Sequence, residues 1–109
     1  PSETSTQTAT NDWKVVAVPS GFKKIMEVRR PLPGKKTDAI HFVFSDGLAG
    51  ISVFIETLGN HLNRKLGLSS RGAIHVYSKE KGDYLVTVVG EVPPRTIMQV
   101  ADSVRYRGQ

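Results

Sequence analysis

The chain holds 109 residues, room for one domain and too little for two of ordinary size. Charged residues make up 23% and hydrophobic ones 39%, as in a packed globular fold, and no segment approaches the roughly 20 apolar residues that a bilayer-spanning helix needs. Cysteine is absent, which excludes disulfides, a thiol nucleophile and thiolate metal sites, while the formal net charge of +5 favours anionic partners: acidic peptide, lipid phosphate or nucleic acid.

The first segment, Pro1–Asp12, is rich in Ser and Thr and has no apolar period, so it reads as a flexible linker or tag remnant. The chain opens on Pro1 rather than Met, so a processed or excised piece is expected. Ordered structure is expected from Trp13, where Trp13, Val15 and Ala17 alternate as a first strand that Pro19-Ser20-Gly21 ends. Phe22–Arg30 follows a clean period of neither kind. Its neighbours favour a strand, and Phe22, Ile25, Met26 and Arg29 leave a short helix open as the alternative. Pro31–Lys36 is a turn with a basic tip.

Ile40–Glu56 carries the strongest pattern. Ile40, Phe42 and Phe44 alternate, then Ile51, Val53 and Ile55, on either side of Ser45–Gly50. Period two predicts an antiparallel hairpin with one buried face, in the register Phe44 with Ile51, Phe42 with Val53 and Ile40 with Ile55. A slip of one residue would put these side chains in water, so the register is strongly specified. Thr57–Gly72 shows little strand character and is read as a long surface connection pinned by Leu62, Leu66 and Leu68, with one or two helical turns over Leu58, His61, Leu62 and Lys65 open. Ala73–Ser78 and Tyr84–Val89 form a second hairpin, turning through Lys79–Asp83. Both of its faces are fairly apolar, so one is expected under the closing helix and the other as a shallow surface for a second domain. Pro93 and Pro94 end the strand, and Arg95–Arg105 forms that helix, with Ile97, Val100, Ala101 and Val104 in a stripe widened by Met98. Arg105 and Arg107 add favourable positive charge at its carboxyl end. The predicted fold is therefore α+β: an antiparallel sheet of about five to six strands with a C-terminal helix packed on one face, in a single domain over residues 13–107.

The residues offer little chemistry. His41, His61 and His75 match no compact zinc spacing, although His41 and His75 are candidates for neighbouring strands. No G-x-S-x-G elbow is present, and Ser69-Ser70 is placed in a glycine-rich loop without an evident base. No pair of carboxylates stands out as acid and base, and no phosphate loop ends in Gly-Lys-Ser/Thr. The expectation is a protein that is not an enzyme and needs no metal or cofactor. The basic pairs Lys23-Lys24, Arg29-Arg30, Lys35-Lys36 and Arg64-Lys65 are scattered, with no reading helix for nucleic acid. They are the candidate partner-binding residues, since an extended acidic segment can add to a sheet edge while Lys and Arg select it.

Trp13 with Val18–Phe22, then HFVFSDGLAGISVFIE (His41–Glu56), RGAIHVYSK (Arg71–Lys79) and VTVVGEVPPRTIMQVADSV (Val86–Val104) together resemble the carboxyl-terminal domain of the MucB/RseB family. The likeness runs from Trp13 to about Val104, and SDGLA, RGA and VGEVPP in that order carry its specificity. It implies a non-enzymatic regulator in the periplasm of a Gram-negative bacterium. Its implied partner is the periplasmic segment of a membrane anti-sigma factor, which it helps protect from regulated proteolysis, restraining the envelope-stress response. It also implies a larger N-terminal, lipoprotein-carrier-like domain in the same protein, and signals such as mislocalised lipopolysaccharide or lipoprotein. The Lys35-Lys36 turn and Asn60–Lys65 match no motif of the family. Two alternatives stay open: a structural or dimerisation domain supporting a larger lipid-sensing domain, with homo-oligomers, and a basic nucleic-acid-binding module. No nucleic acid is expected under the leading reading.

Overall fold

In a computed structural model the described residues are 13–31, 38–58 and 66–106. They form eight strands and one helix: β1 (Trp13–Val15), β2 (Lys23–Pro31), β3 (Asp38–Ser45), β4 (Gly50–Thr57), β5 (Gly67–Arg71), β6 (Ile74–Lys81), β7 (Tyr84–Gly90), α1 (Pro94–Asp102) and β8 (Val104–Tyr106). Six strands make one antiparallel sheet in the order β2-β3-β4-β7-β6-β5, while β1 and β8 pair as a separate ladder. The expected α+β architecture is thus present.

The central hairpin takes the register that its alternation demands: Ile40 opposite Ile55, Phe42 opposite Val53, Phe44 opposite Ile51. Strand β7 extends the same face, with Val86 opposite Ile55 and Val88 opposite Val53. Phe42, Phe44, Ile51, Val53, Ile55, Val86 and Val88 are all buried there. Helix α1 seals the face with Ile97, Val100 and Ala101. Pro94 opens the helix, where its missing N–H costs no hydrogen bond. At position 90 a side chain has no room. A Cβ on Gly90 would lie 2.8 Å from the Gly50 carbonyl oxygen and 3.3 Å from Ile51 Cγ1.

The two ends of the described chain meet in the β1–β8 ladder, with Trp13 opposite Tyr106 and Val15 opposite Val104. Trp13 is buried and packs its ring edge-on to Tyr84 (4.8 Å between centroids) and tilted against Tyr106 (4.9 Å).

Four expectations are corrected. The helix ends at Asp102, because Ser103 closes it by donating its N–H to Gln99 and Val100 and its hydroxyl to Val100; Val104 is buried from strand β8 instead. Met98 does not widen the buried stripe, since it is 37% exposed. Lys79–Lys81 continue β6, leaving only Gly82-Asp83 as the turn, with Gly82 at φ 61°. A glycine takes that left-handed conformation without strain. Gly67–Arg71 is a strand rather than part of a loop, and Leu66 and Leu68, about half exposed, do not pin it. Every residue of β5 is exposed, so it has no buried face to produce an alternating pattern, and only pairing with β6 makes it a strand. The Leu62 anchor, the helical turns over 59–65, the Lys35-Lys36 turn and the Pro1–Asp12 linker lie outside the described residues.

Ile97→Asp places a carboxylate where the side chain is fully buried, and loss of more than about 4 kcal/mol or outright unfolding is expected in a denaturant melt. Gly90→Ala forces a Cβ against the Gly50 carbonyl oxygen and is expected to cost about 1–3 kcal/mol by the same measurement.

Candidate functional site

The mixed periodicity of Phe22–Arg30 has a structural cause. Strand β2 pairs with β3 throughout, but the register shifts between Lys24 and Met26, so Ile25 is a bulge. One extra residue moves the alternation to the other face partway along the strand, which is why neither a helical nor a strand period fits. The strand assignment holds and the helical alternative does not.

Strand β2 is an edge of the sheet, and among the described residues no strand lies on its outer side. Over nine residues it carries Lys23, Lys24, Arg29 and Arg30 against a single carboxylate, Glu27. Lys24 forms an ion pair with Glu27, and its amine stands 5.5 Å over the Phe42 ring, a cation–π arrangement. Ile25 is 65% exposed. Lys23 lies opposite Ser45, which puts the basic start of β2 beside the turn between β3 and β4.

That turn is closed by its own side chains. The Asp46 carboxylate accepts the backbone N–H groups of Leu48 and Ala49, both at 2.9 Å. Ser45 Oγ accepts from Gly47 N–H at 3.0 Å and donates to the Ala49 carbonyl at 2.9 Å. The N–H bonds from Ala49 and Leu48 hold the Asp46 carboxyl below its ordinary pKa of 3.8. The result is a braced turn that carries Leu48 almost wholly into solvent, at 96% exposure.

A second basic group has a different role. Lys81 Nζ donates to the carbonyl oxygens of Asp102 (3.0 Å) and Val104 (2.6 Å), Lys79 pairs with Asp102 at 2.7 Å, and Arg105 donates to the Asp102 carbonyl at 2.8 Å. These cations gather at the carbonyl end of α1, where positive charge offsets the helix dipole. Partial burial, then the charges of Lys79 and Arg105, push the Lys81 pKa down, against the pull of Asp102. Sequence reasoning foresaw Arg105 near this end but not the two β6 lysines, because only strand pairing brings them alongside.

Of the candidate partner-binding residues, Lys23, Lys24, Arg29 and Arg30 come together on β2. Lys35, Lys36, Arg64 and Lys65 lie outside the described residues. The histidine expectation is corrected: His41 is on β3 and His75 on β6, with β4 and β7 between them, and the two point to opposite faces of the sheet. His41 stacks on Phe54 with ring centroids 4.2 Å apart. Ser69-Ser70 sits on β5 rather than in a loop, and Ser70 Oγ hydrogen-bonds His75 Nδ1. A hydrolase triad engages its serine through Nε2 and keeps Nδ1 for the orienting carboxylate, so this pair is turned the wrong way for that chemistry.

The family model for the MucB/RseB C-terminal domain matches residues 7–105. The chain belongs to the MucB/RseB C-terminal domain family. Among its relatives, Sigma-E factor regulatory protein RseB of Salmonella typhimurium is 33% identical over 97 residues, 88% of this chain and 30% of that protein. Sigma factor AlgU regulatory protein MucB of Pseudomonas aeruginosa is 36% identical over 97 residues, 85% of this chain and 30% of that protein. The fold also matches solved structures: the Pseudomonas aeruginosa MucA/MucB complex (TM-score 0.69, 33% identity, 92% of this chain and 36% of that one), and MucB in complex with MucA(peri) (TM-score 0.70, 34% identity, 92% and 38%). The chain therefore spans about a third of the length of the relatives it matches. The SDGLA segment, one of the motifs that carry the resemblance, is the Asp46-braced turn of this MucB/RseB domain.

Because the Asp46 pKa is depressed in the fold, its bracing is complete above 3.8 and is lost as pH falls through the lower folded value. In an NMR titration the Leu48 and Ala49 amide protons are expected to shift together below pH 3.8, and not in Asp46→Asn. Independent behaviour of the two amides would remove the brace.

Proposed function

We propose that this domain is a docking module of a periplasmic regulator in a Gram-negative bacterium. It binds the periplasmic segment of a membrane anti-sigma factor, helps shield that segment from regulated proteolysis, and so restrains the envelope-stress response. The observation that carries this reading is the likeness in fold and sequence to MucB held in complex with MucA(peri). The domain acts by binding and not by catalysis, in keeping with the reversed Ser70–His75 pair. Its working extent is residues 13–107.

The basic residues Lys23, Lys24, Arg29, Arg30, Lys35, Lys36, Arg64 and Lys65 supply contacts to an acidic partner. The net charge of +5 and the concentration of four of these residues on one edge strand support that assignment. In the whole protein a larger, carrier-like neighbouring domain supplies the response to lipopolysaccharide or lipoprotein.

Calorimetric titration of this chain with the periplasmic segment of its cognate anti-sigma factor checks the proposal. Saturable binding is expected, and reversing Lys23, Arg30, Lys35 and Lys36 to Glu is expected to weaken it at least tenfold, about 1.4 kcal/mol. Equal affinities would reject the charged contact. Failure of the unaltered chain to bind would leave it a support for its neighbour.

A further inference from the structure

We propose that the outer edge of β2 takes up an extended acidic segment of a protein partner as an added antiparallel strand, making a seventh strand of the sheet. The inference rests on the binding reading above and deepens it by naming the surface and the mode of recognition.

The sheet has two edges, and they are not equivalent. Strand β5 is five residues long, with Arg71 as its sole cation. Strand β2 is nine residues long and carries four cations against one carboxylate. An added strand gains affinity from backbone hydrogen bonds, which either edge can offer over about five residues. Charge then decides what can use them. Basic residues and a bulge on an edge are a recognised defence against pairing with a copy of the same chain, since two such strands repel. The same charges do not repel an acidic strand. They attract it, so the device that blocks self-association selects an anionic partner.

The bulge at Ile25 also sets the register. Beyond it, Met26–Pro31 pairs with β3 without interruption, from Met26 opposite Val43 to Pro31 opposite Asp38. Proline has no N–H to offer, so Pro31 closes the usable edge at one end, and the bulge closes it at the other. The interval between them admits a segment of about five or six residues. A segment that continues past the bulge can meet exposed Ile25 with an apolar group and Lys23 with an acidic one.

Amide hydrogen exchange on the ¹⁵N-labelled 109-residue chain tests this, with two probes: the cognate anti-sigma periplasmic segment, and a synthetic octapeptide of alternating Glu and Val at millimolar concentration. Exchange of β2 amides is expected to slow at least tenfold with both, while β5 amides keep their rates. Neighbouring residues in an antiparallel strand point their N–H groups to opposite sides, so Val28→Pro and Arg29→Pro are made in parallel. Whichever keeps the thermal unfolding of the parent is expected to lose the slowing. Binding of the anti-sigma segment with β2 exchange unchanged, or with protection at β5, overturns strand addition and leaves the binding reading intact. If that segment does not bind, the binding reading fails, and the octapeptide alone decides the edge: slowed β2 exchange upholds it, unchanged exchange overturns it. Dimers of the chain formed through β2 would also overturn it.

Discussion

The whole domain depends on one packing event: the burial of Ile97, Val100 and Ala101 of the closing helix over β6 and β7, in one core with the β-branched residues of β4 and β7. Neither partner is stable alone, since an isolated nine-residue helix is marginal in water and an open sheet face of this apolarity is costly. Within the sheet itself, the close pass of β7 by the start of β4 leaves no room for a side chain at Gly90. Burial of the helix on the sheet also brings a crowd of cations to its carbonyl end. Lys81 and Arg105 donate to the Asp102 carbonyl that the terminated helix leaves without an intrahelical partner, while Lys79 pairs with the Asp102 carboxylate.

Once those cations are accounted for, the basic character of the chain has a different meaning at each end of the sheet. At the α1 side it is absorbed by carbonyls and by Asp102. On β2 it lies along an edge strand, next to a turn braced by Asp46. A composition-level charge of +5 does not separate these two uses. Spatial arrangement does: one group lies at the helix carbonyl end, the other along β2.

Much of this was legible in the sequence. Strict alternation on both sides of Ser45–Gly50 determined the central hairpin down to its register, because a one-residue slip of either strand would turn its apolar set to the other face. The double proline and the 3.6-residue spacing after it determined the helix start and its buried face. The absence of cysteine excluded disulfides and thiol chemistry before a fold was known, and the ordered motifs carried the family.

Tertiary structure alone decided the rest. Strand β5 has no buried face, and so leaves no periodic trace; it exists because β6 offers it a ladder. The Ile25 bulge blurs the pattern of β2 for a geometric reason that only pairing reveals. Val104 and Trp13 belong to a ladder joining residues about ninety positions apart, and His41 and His75 are separated by a strand order that no local rule encodes. Sequence determines what must be buried and with what period, because those are local demands of the chain. Which cations neutralise a helix end, and which line an open edge, depends on long-range neighbours that exist only after the sheet has closed on its helix.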